Sequence, residues 1–339
     1  MGVLVYPRTV KKTVKEKIRF LLSFAPRLGI VPKASKFREK GISAFIRVKD
    51  EEYWIRPCIL SIKDYVEEIL VIDNGSVDGT LDKVGRLRHE VSTPIRIYSL
   101  PGADYCEISN LGIKESKYNW LLKWDADFIA HTDGPMRFDN LRNYLFSLDQ
   151  CRYHMIFMNI VNLAGDLWHQ PKRDSSYIRS SGPIHREAYL WSFSPKMRYV
   201  WKDYNGISKT ESLLFPPYYR FLQWPELSVF HVGGVRSIER MLADHFWGAW
   251  KLKYAKNKEE SIPDREAFAW QSAEQLFHTS KEEIILRKFF DLLKTEFVPY
   301  DKQKYGPHPE WLSSYLENPR YRILYDKKKS ITGRYPDCI

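Results

Sequence analysis

The chain has 339 residues, 44% of them hydrophobic and 15% aromatic, so it can build a sizeable packed core and does not have a disordered composition. Residues 1–40 hold eleven Lys/Arg and two Glu, so they account for +9 of the net charge of +11 and leave +2 for the rest. The nearly neutral main body argues against nucleic-acid binding. Four scattered cysteines favour a reducing compartment over a disulfide framework or a zinc site.

Residues 1–41 are predicted to form a basic extension with one amphipathic helix. Apolar residues recur near helical spacing over residues 10–25, lysines fill the opposite face, and Pro26 ends the pattern. Such a helix can lie on an anionic membrane surface, or it can pack on the main domain with its lysines in water. The start of the chain lacks a secretory signal layout, and no apolar run approaches the ~20 residues that span a bilayer. We predict a cytoplasmic protein, with peripheral membrane contact as an open alternative.

From residue 42 short apolar runs alternate with helical segments. Strands are predicted at 42–48, 68–74, 94–100 and 119–125, and helices at 51–65, 77–90 and 104–117. Because the strands are rich in Ile, Leu and Val, the pattern predicts an α/β fold with a parallel sheet and helices on both faces. Right-handed crossovers bring the carboxyl ends of these strands to one edge, where open α/β sheets bind ligands.

The second part of the chain is less regular. Strands are predicted at 153–163 and 226–232, whereas residues 165–225 are rich in aromatics, Ser and Pro and show no clear periodicity. From about residue 236 the chain is predicted to be helical. We see no internal repeat and no low-complexity block.

Acidic residues follow three of the predicted strands. Asp50 and Glu51 follow the first, the run DNGSVDGT from Asp73 to Thr80 ends the second, and the pair Asp125 and Asp127 ends the fourth. Each motif alone has an ordinary explanation as a turn or a solvated loop. Together they fall where the sheet predicts its binding edge, which favours a site for a nucleotide and a divalent cation.

The chemistry of these groups indicates separate roles. An ionised Asp73 can accept hydrogen bonds from a base or a ribose. Asp78 is a candidate cap for the following helix. Asp125 and Asp127 suit Mg²⁺ or Mn²⁺, since these cations prefer oxygen ligands and are held by one or two carboxylates and substrate phosphates. A bound cation would also remove the repulsion between the two acids.

These residues resemble the glycosyltransferases of family 2, which have the GT-A fold. VKDEEYWIRPCILSI is similar to the first block of that family, with Asp50 where Asn is commoner, and EILVIDNGSVDGT is a close match to the second. ISNLGIKES resembles the third block around Asn110, with Ser109 where Arg is frequent, and WLLKWDADFI resembles the fourth, with Phe128 where an acid is often found. The resemblance is specific over residues 42–131.

The resemblance implies a GT-A (nucleotide-diphospho-sugar transferase) domain with a Rossmann-like, mostly parallel sheet. It would span residues 42–235, with a nucleotide-binding half at 42–131, an acceptor half at 132–235 and a helical C-terminal region at 236–339. The implied activity is a metal-dependent, inverting transfer from a nucleotide sugar to a hydroxyl of a glycan or glycolipid. The implied donor-binding residues are Asp50, Asp73, Asn110 and Asp125. The implied ligands of Mn²⁺ or Mg²⁺ are Asp125, Asp127 and His231.

The catalytic base is expected beyond the Asp125–Asp127 pair. RYVWKDYNGISKTESL loosely resembles the family segment that carries an acid, which makes Glu211 the first candidate and Asp203 the second. The other acids in this part of the chain are Asp166, Asp174 and Glu187. Aromatic side chains here could stack on sugar rings or form core, as for Trp168, Trp191 and Trp201.

Two other functions fit parts of the sequence. A sugar-1-phosphate nucleotidyltransferase also has a nucleotide-binding α/β sheet, but the loop VKDEEYW lacks the glycines expected after its first strand. A non-catalytic GT-A-like protein that binds a partner or a membrane is the second alternative. The intact acids at Asp73, Asp125 and Asp127 argue against it.

Overall fold

The computed structural model describes residues 14–134, 137–172, 184–204, 208–226, 229–254 and 265–317 of the chain. Its α-helices are α1 (Val14–Leu22), α2 (Ile55–Ile62), α3 (Thr80–Glu90), α4 (Tyr105–Glu115), α5 (Phe138–Ser147), α6 (Ile238–Tyr254), α7 (Arg265–Phe277), α8 (Glu282–Lys294), α9 (Lys302–Tyr305) and α10 (Ser313–Glu317). Its strands are β1 (Glu39–Val48), β2 (Glu68–Asp73), β3 (Ile95–Ser99), β4 (Tyr118–Asp125), β5 (Phe128–Ala130), β6 (Tyr153–Ala164), β7 (His169–Pro171), β8 (Ile184–Ser192), β9 (Arg198–Tyr204), β10 (Ser208–Leu214), β11 (Tyr219–Gln223), β12 (Val229–Gly234) and β13 (Phe297–Pro299).

The main sheet has nine strands. Eight follow the order β3-β2-β1-β4-β8-β6-β12-β5, and β11 pairs with β6. Strands β3, β2, β1 and β4 are parallel to one another, as the alternation of strands and helices predicted. Strand β8 runs antiparallel between β4 and β6, and β11, β6 and β12 form a second parallel group. The fold is therefore α/β with a mostly parallel sheet, and the predicted fold class is confirmed.

The side chains of β1 alternate between two cores. Ala44, Ile46 and Val48 join the apolar cluster that contains residues of α2 and α3, whereas Phe45 joins the cluster that contains residues of α4. Both faces of this strand are covered, which explains why it is apolar along most of its length. Helices thus lie on both faces of the sheet, as predicted.

The parallel register brings the carboxyl ends of β1, β2 and β4 together. Val48 of β1 is the register partner of Asp73 of β2, and Arg47 of β1 is the partner of Asp125 of β4. The loops that follow these three strands form one edge, which we call the acidic edge. The predicted meeting of the three acidic motifs is therefore observed.

The segment without clear periodicity contains more strand than its pattern indicated. Strand β8 is inserted in the main sheet, β9 and β10 form a separate antiparallel pair, and β7 pairs with β13 near the end of the chain. The β9–β10 pair has seven residues a side and mixes charged, aromatic and aliphatic residues, so neither strand gives the continuous apolar run of β1 or β2.

The helical prediction for the C-terminal part is confirmed by α6, α7 and α8. Residues of these helices form a third apolar cluster, which includes Leu242, Ala273, Phe289 and Leu293. The division between a GT-A domain and this region at residue 235 stays a prediction. In the part of the chain that the structure describes, no helix combines the length and the hydropathy needed to cross a membrane.

Candidate active site

Asp73 lies at the acidic edge and holds its own loop. The side chain is buried, and its carboxylate accepts hydrogen bonds from the backbone N–H of Gly75 at 2.9 Å and of Ser76 at 3.1 Å. Gly75 has a φ of +80°, and a Cβ there would lie 3.0 Å from Pro101. A glycine is thus required at this turn. The DNGSVDGT motif therefore encodes the turn geometry around a buried carboxylate, whatever further bonds Asp73 makes to a ligand.

The loop after β1 interlocks with the loop after β2. Asp50, at a φ of +55°, donates its backbone N–H to Ser76 Oγ at 2.9 Å, and its carboxylate accepts from the Val77 N–H at 2.8 Å. Asp78 accepts from the backbone N–H of Glu52 at 3.0 Å and of Thr80 at 3.0 Å; it thus satisfies one donor at the start of α3, although the N-cap residue is Gly79 and not Asp78. The two loops form one rigid rim of the edge.

Arg47 joins Asp125 to the first base candidate. One guanidinium nitrogen lies 2.8 Å from each carboxylate oxygen of Glu211, and the other lies 3.4 Å from Asp125 Oδ1. Ser109 also donates its hydroxyl to Glu211, at 2.7 Å. Glu211 lies on β10, which is outside the main sheet, so this arginine brings the hairpin to the acidic edge. Sequence reasoning predicted Glu211 but missed Arg47.

Asp127 belongs to a second buried cluster. Its Oδ2 lies 3.3 Å from His231 Nε2 and 3.0 Å from Arg236 Nη2. The same Arg236 nitrogen lies 2.6 Å from Glu51 Oε1. The other ring nitrogen of His231, Nδ1, lies 3.0 Å from Asn162 Oδ1. The structure thus brings two of the predicted metal ligands, Asp127 and His231, into contact.

The charges of this cluster shift the pKa values of its members. Burial alone would raise the pKa of Asp127, but His231 and Arg236 outweigh it and hold that pKa well below its usual range. Burial alone would lower the pKa of His231, but Asp127 raises it instead. Burial raises the pKa of Glu51 to about 7, against the opposing effect of Arg236.

The pKa of Asp125 is also low, for a related reason. Burial would raise this pKa, but Lys123 and Arg47 together lower it. Both aspartates are therefore ionised at neutral pH, and each has an arginine close by.

Asp127 and His231 pack directly against the backbone of Gly233. A Cβ on Gly233 would lie 2.2 Å from Asp127 Oδ2 and 2.5 Å from His231 Nε2, closer than any real contact. Phe128 fixes the histidine from another side, since the two rings meet edge to face at 5.2 Å. The position at which the family often has an acid is thus occupied by a packing residue.

The donor set at this position fits a divalent cation. Asp127 offers a carboxylate oxygen, and His231 turns one nitrogen to it while the other meets Asn162. Metal-binding histidines commonly have such a partner on the second nitrogen. However, within the described residues Asp125, Asp127 and His231 do not form a compact three-ligand group, because Arg47 draws Asp125 away and Arg236 already lies against Asp127.

Other predicted site residues have defined places. Asn110 of α4 exchanges two hydrogen bonds with the backbone of Tyr199, at 2.9 and 2.7 Å, and so ties β9 to α4. Asp203 lies on β9 opposite Lys209, and its side chain is outside the described residues. Trp191 is fully buried in core, whereas Trp201 is half exposed and donates to Asp104 at 3.0 Å.

Sequence reasoning missed four residues that shape the site. Arg47, Asn162, Gly233 and Arg236 each contact a predicted residue from a distant part of the chain. Arg47 gave one signal, a charged residue inside an otherwise apolar strand. The VGGVR run after His231 gave another, since paired glycines next to a strand end indicate close backbone approach.

Comparison with known proteins identifies the domain that contains the acidic edge. Residues 43–135 match the sequence model of the family described as Glycosyl transferase family 2. The matched segment contains most of β1, all of β2 to β5 and the strand ends that form the acidic edge. The predicted enzyme class, a glycosyltransferase with the GT-A fold, is confirmed. No curated protein sequence matches the chain.

Two solved structures illustrate the similarity of this chain to known proteins at low identity. S. aureus TarS 1–349 in complex with UDP-GlcNAc is 13% identical, with 84% of this chain and 78% of that chain covered and a TM-score of 0.37. Glucosyl-3-phosphoglycerate synthase from Mycobacterium tuberculosis in complex with Mn²⁺, UDP and phosphoglyceric acid is 20% identical, with 44% and 49% covered and a TM-score of 0.28. The identification rests on the match of residues 43–135.

Proposed function

We propose that the protein is a metal-dependent, inverting glycosyltransferase that moves a sugar from a nucleotide sugar to a hydroxyl of a glycan or glycolipid. The observation that carries this proposal is the gathering of Asp125, Asp127, His231 and Glu211 at one edge of the family 2 domain. Four groups from three separate parts of the chain lie in two neighbouring clusters at this edge, and this arrangement supports their assignment as cation ligands and base.

The proposed cation site consists of Asp127, His231 and Asp125. Mn²⁺ or Mg²⁺ held there would neutralise charge that develops on the leaving diphosphate. Asp127 and His231 are the core of this site, because Asn162 orients the imidazole and the absence of a side chain at Gly233 lets both groups pack against the backbone there. Arg236 has to withdraw from Asp127 when a cation is bound, and Glu51 can retain it at 2.6 Å.

The proposed donor-binding residues line the rim and the neighbouring helix. Asp50 and Asp73 stiffen the loops after β1 and β2, which gives a nucleotide a preformed surface at the strand ends. Asn110 supports the surface from α4 through Tyr199. Of the two aspartates, Asp125 is the one assigned to the donor, since Arg47 holds it toward Ser109 of α4 and Glu211.

The proposed base is Glu211, with Asp203 as the second candidate. An ionised Glu211 takes the proton of the acceptor hydroxyl while the oxygen attacks the anomeric carbon on the face opposite the leaving nucleoside diphosphate, which inverts that centre. Arg47 and Ser109 orient the carboxylate before the acceptor binds. Proton uptake requires one of its oxygens to exchange Arg47 or Ser109 for the acceptor hydroxyl.

A screen of nucleotide sugars and Asp127→Asn tests this function. We expect one nucleoside diphosphate to raise the thermal midpoint of the wild type only with Mn²⁺. Asp127→Asn should abolish Mn²⁺-dependent hydrolysis of the matching donor. Equal activity of the variant and the wild type would overturn the metal assignment, and retained activity in Glu211→Gln would transfer the base role to Asp203.

We also propose that the protein is cytoplasmic and contacts an anionic membrane through α1 and the turn after it. Ile18, Leu21, Leu28 and Ile30 are 51–71% exposed, in a segment that carries much of the net charge. Arg152 holds this segment on the body by donating to the Ser23 carbonyl at 3.0 Å. Apolar side chains on a fixed basic segment are typical of interfacial binding.

Vesicle sedimentation tests the membrane contact. The full chain should sediment with vesicles that contain phosphatidylglycerol and remain in solution with phosphatidylcholine alone. A Leu21→Asp/Leu28→Asp variant should lose this binding, whereas Leu276→Asp on α7, also at an exposed leucine, should keep it. Unchanged binding of the first variant would contradict the assignment.

A further inference from the structure

A second group of potential metal ligands lies outside the acidic edge. It consists of His131 and Asp133, which follow β5, and Glu310, which begins a 3₁₀ turn at Glu310–Leu312. One ligand atom from each residue lies within 4.8 Å of the others, and no other described residues form such a group. The group therefore joins the end of the buried edge strand β5 to a segment about 180 residues later in the chain.

His131 is buried and available for coordination. Its side chain is 1% exposed, its ring packs edge to face on Phe230 at 5.3 Å, and its Nδ1 lies 3.8 Å from Asp133 Oδ1. Its Nε2 is buried and has no partner at full hydrogen-bond geometry within the described part of the chain, and the backbone of Pro307 lies close enough to the ring to oppose the effect of burial on its pKa. Burial lowers the pKa of His131, so the ring is neutral at pH 7 and one nitrogen keeps its lone pair.

Glu310 lacks the partners that a buried carboxylate needs. Both of its oxygens are buried, and within the described residues neither has a partner at full hydrogen-bond geometry; the backbone N–H groups of Thr132 and Glu310 lie close enough to oppose the effect of burial on its pKa. Burial raises the pKa of Glu310 to about 7, with Asp133 contributing in the same direction. An unpaired carboxylate in such a place is costly, so it takes up either a proton or a cation.

We propose that His131, Asp133 and Glu310 bind a divalent transition-metal ion, with Zn²⁺ as the best fit. Imidazole nitrogen and carboxylate oxygen are both zinc ligands, and three protein ligands leave a fourth position for water. Ligand atoms around tetrahedral zinc lie roughly 3.3 Å apart, at about 2.0–2.2 Å from the ion. The 3.8 Å between His131 Nδ1 and Asp133 Oδ1 is close to this spacing, and all three ligand atoms lie within 4.8 Å of one another, so the site requires the three side chains to close on the ion.

A proton shared between Glu310 and Asp133 is the competing explanation. That arrangement requires no nitrogen ligand, yet a neutral, buried His131 lies against the same two acids. Asp133 is 71% exposed, which gives an ion a path from solvent to the two buried ligands. These features favour the metal.

The ion would fasten the segment 300–317, which we call the C-terminal strap. The strap is hydrogen-bonded to the body at its start, where Tyr300 donates its N–H to Trp168 O at 2.7 Å, and in its middle, where Trp311 donates to Thr132 at 3.1 Å. At its end Tyr315 stacks on Trp54 at 5.2 Å, directly after the loop that carries Glu51. The proposed ion is thus structural and holds the strap against the sheet and α2.

Metal titration of the full chain tests this site independently of the proposed catalytic cation. Asp127→Asn serves as the background, because it removes the catalytic ligand. After treatment with EDTA and dialysis, we expect Zn²⁺ to bind at about one ion per chain and to raise the thermal midpoint by about 4 °C at a hundredfold excess over Kd. Adding Glu310→Gln or Asp133→Asn should reduce this rise at least threefold.

Glu283→Gln, at an exposed acid on α8, is the matched control and should keep the full rise. Asp133→Asn changes an exposed side chain, so it reports on metal binding even if Glu310→Gln alters folding. A Zn²⁺ response that is absent, or equal in all variants, would overturn the proposal. A Glu310→Gln variant that is stabilised without metal, together with no Zn²⁺ response in the background protein, would assign the shared proton instead.

Discussion

The two aspartates of the acidic edge each meet an arginine, but in different settings. Arg47 projects from strand β1 and holds Asp125 together with Glu211 and Ser109. Arg236 lies on the loop after β12 and holds Asp127 together with Glu51. Among the described residues, the second cluster alone contains a histidine, and there the carboxylate and the imidazole pack against a glycine, Gly233.

This difference separates the roles of two residues that the sequence presents as a pair. A guanidinium on a strand is a fixed counter-charge, whereas one on a loop can withdraw when a cation arrives. We infer that Asp127 is the principal metal ligand and that Asp125 serves mainly to orient the nucleotide-sugar donor. The following predictions test this division.

Removal of Arg47 is expected to have the largest effect on stability. Arg47→Met leaves Glu211 and Asp125 without their shared counter-charge in a site where all three side chains are largely buried. Breaking a buried ion pair costs about 3–5 kcal/mol. Arg56→Met is the control. The Arg56–Glu90 pair is nearly half exposed, so its loss should cost about 1 kcal/mol or less. Urea denaturation measures both, and equal losses would show that Arg47 is no fixed counter-charge.

The second largest effect is expected from a methyl group at position 233, which should weaken cation binding. In Gly233→Ala the Cβ displaces Asp127 or His231, and we expect about a 100-fold loss in Mn²⁺ affinity, at the upper end of what neighbouring residues contribute to metal sites. Gly85→Ala on α3 is the matched control, because a Cβ there meets nothing within 4 Å. Isothermal titration with Mn²⁺ compares the two variants. Wild-type affinity in Gly233→Ala would place the cation elsewhere.

The smallest of the three effects is expected from the titration of Glu51, which makes the stability of the protein depend on pH. Burial raises its pKa to about 7 in the folded state, above the ordinary value of 4.5, so its favourable contribution is complete below pH 4.5 and is lost as the pH rises to 7. Between pH 4.5 and 7.5 the free energy of unfolding of Glu51→Gln should therefore rise by about 1–3 kcal/mol relative to that of the wild type. Denaturant midpoints across this range measure the gain. A difference that stays constant with pH would mean that Arg236 keeps Glu51 ionised.

Much of the acidic edge could be predicted because its signals are local. The strands β1, β2 and β4 are apolar runs that end in acids, and parallel topology alone brings such ends together. The turn around Asp73 is likewise determined by consecutive residues of the DNGSVDGT motif. The prediction that His231 approaches the metal site needed the family resemblance, and the contact of His231 with Asp127 supports it.

The partners of these acids could not be predicted, because they come from far along the chain. Arg236 is 185 residues from Glu51 and 109 from Asp127, and Glu211 is 164 from Arg47. Such pairs depend on where β10 and β12 lie in three dimensions, which no periodicity encodes. The β9–β10 strands escaped detection for a related reason, since they lie outside the main sheet and show no regular alternation of apolar residues.

Direct measurement of Mn²⁺ binding tests the central claim, that Asp127 and His231 form the cation site. Isothermal titration in a Glu310→Gln background excludes the second proposed site. The account predicts that Asp127→Asn and His231→Gln each lose nearly all binding, whereas Asp125→Asn loses less than either. Full Mn²⁺ affinity in Asp127→Asn, or a larger loss in Asp125→Asn than in Asp127→Asn, would contradict it.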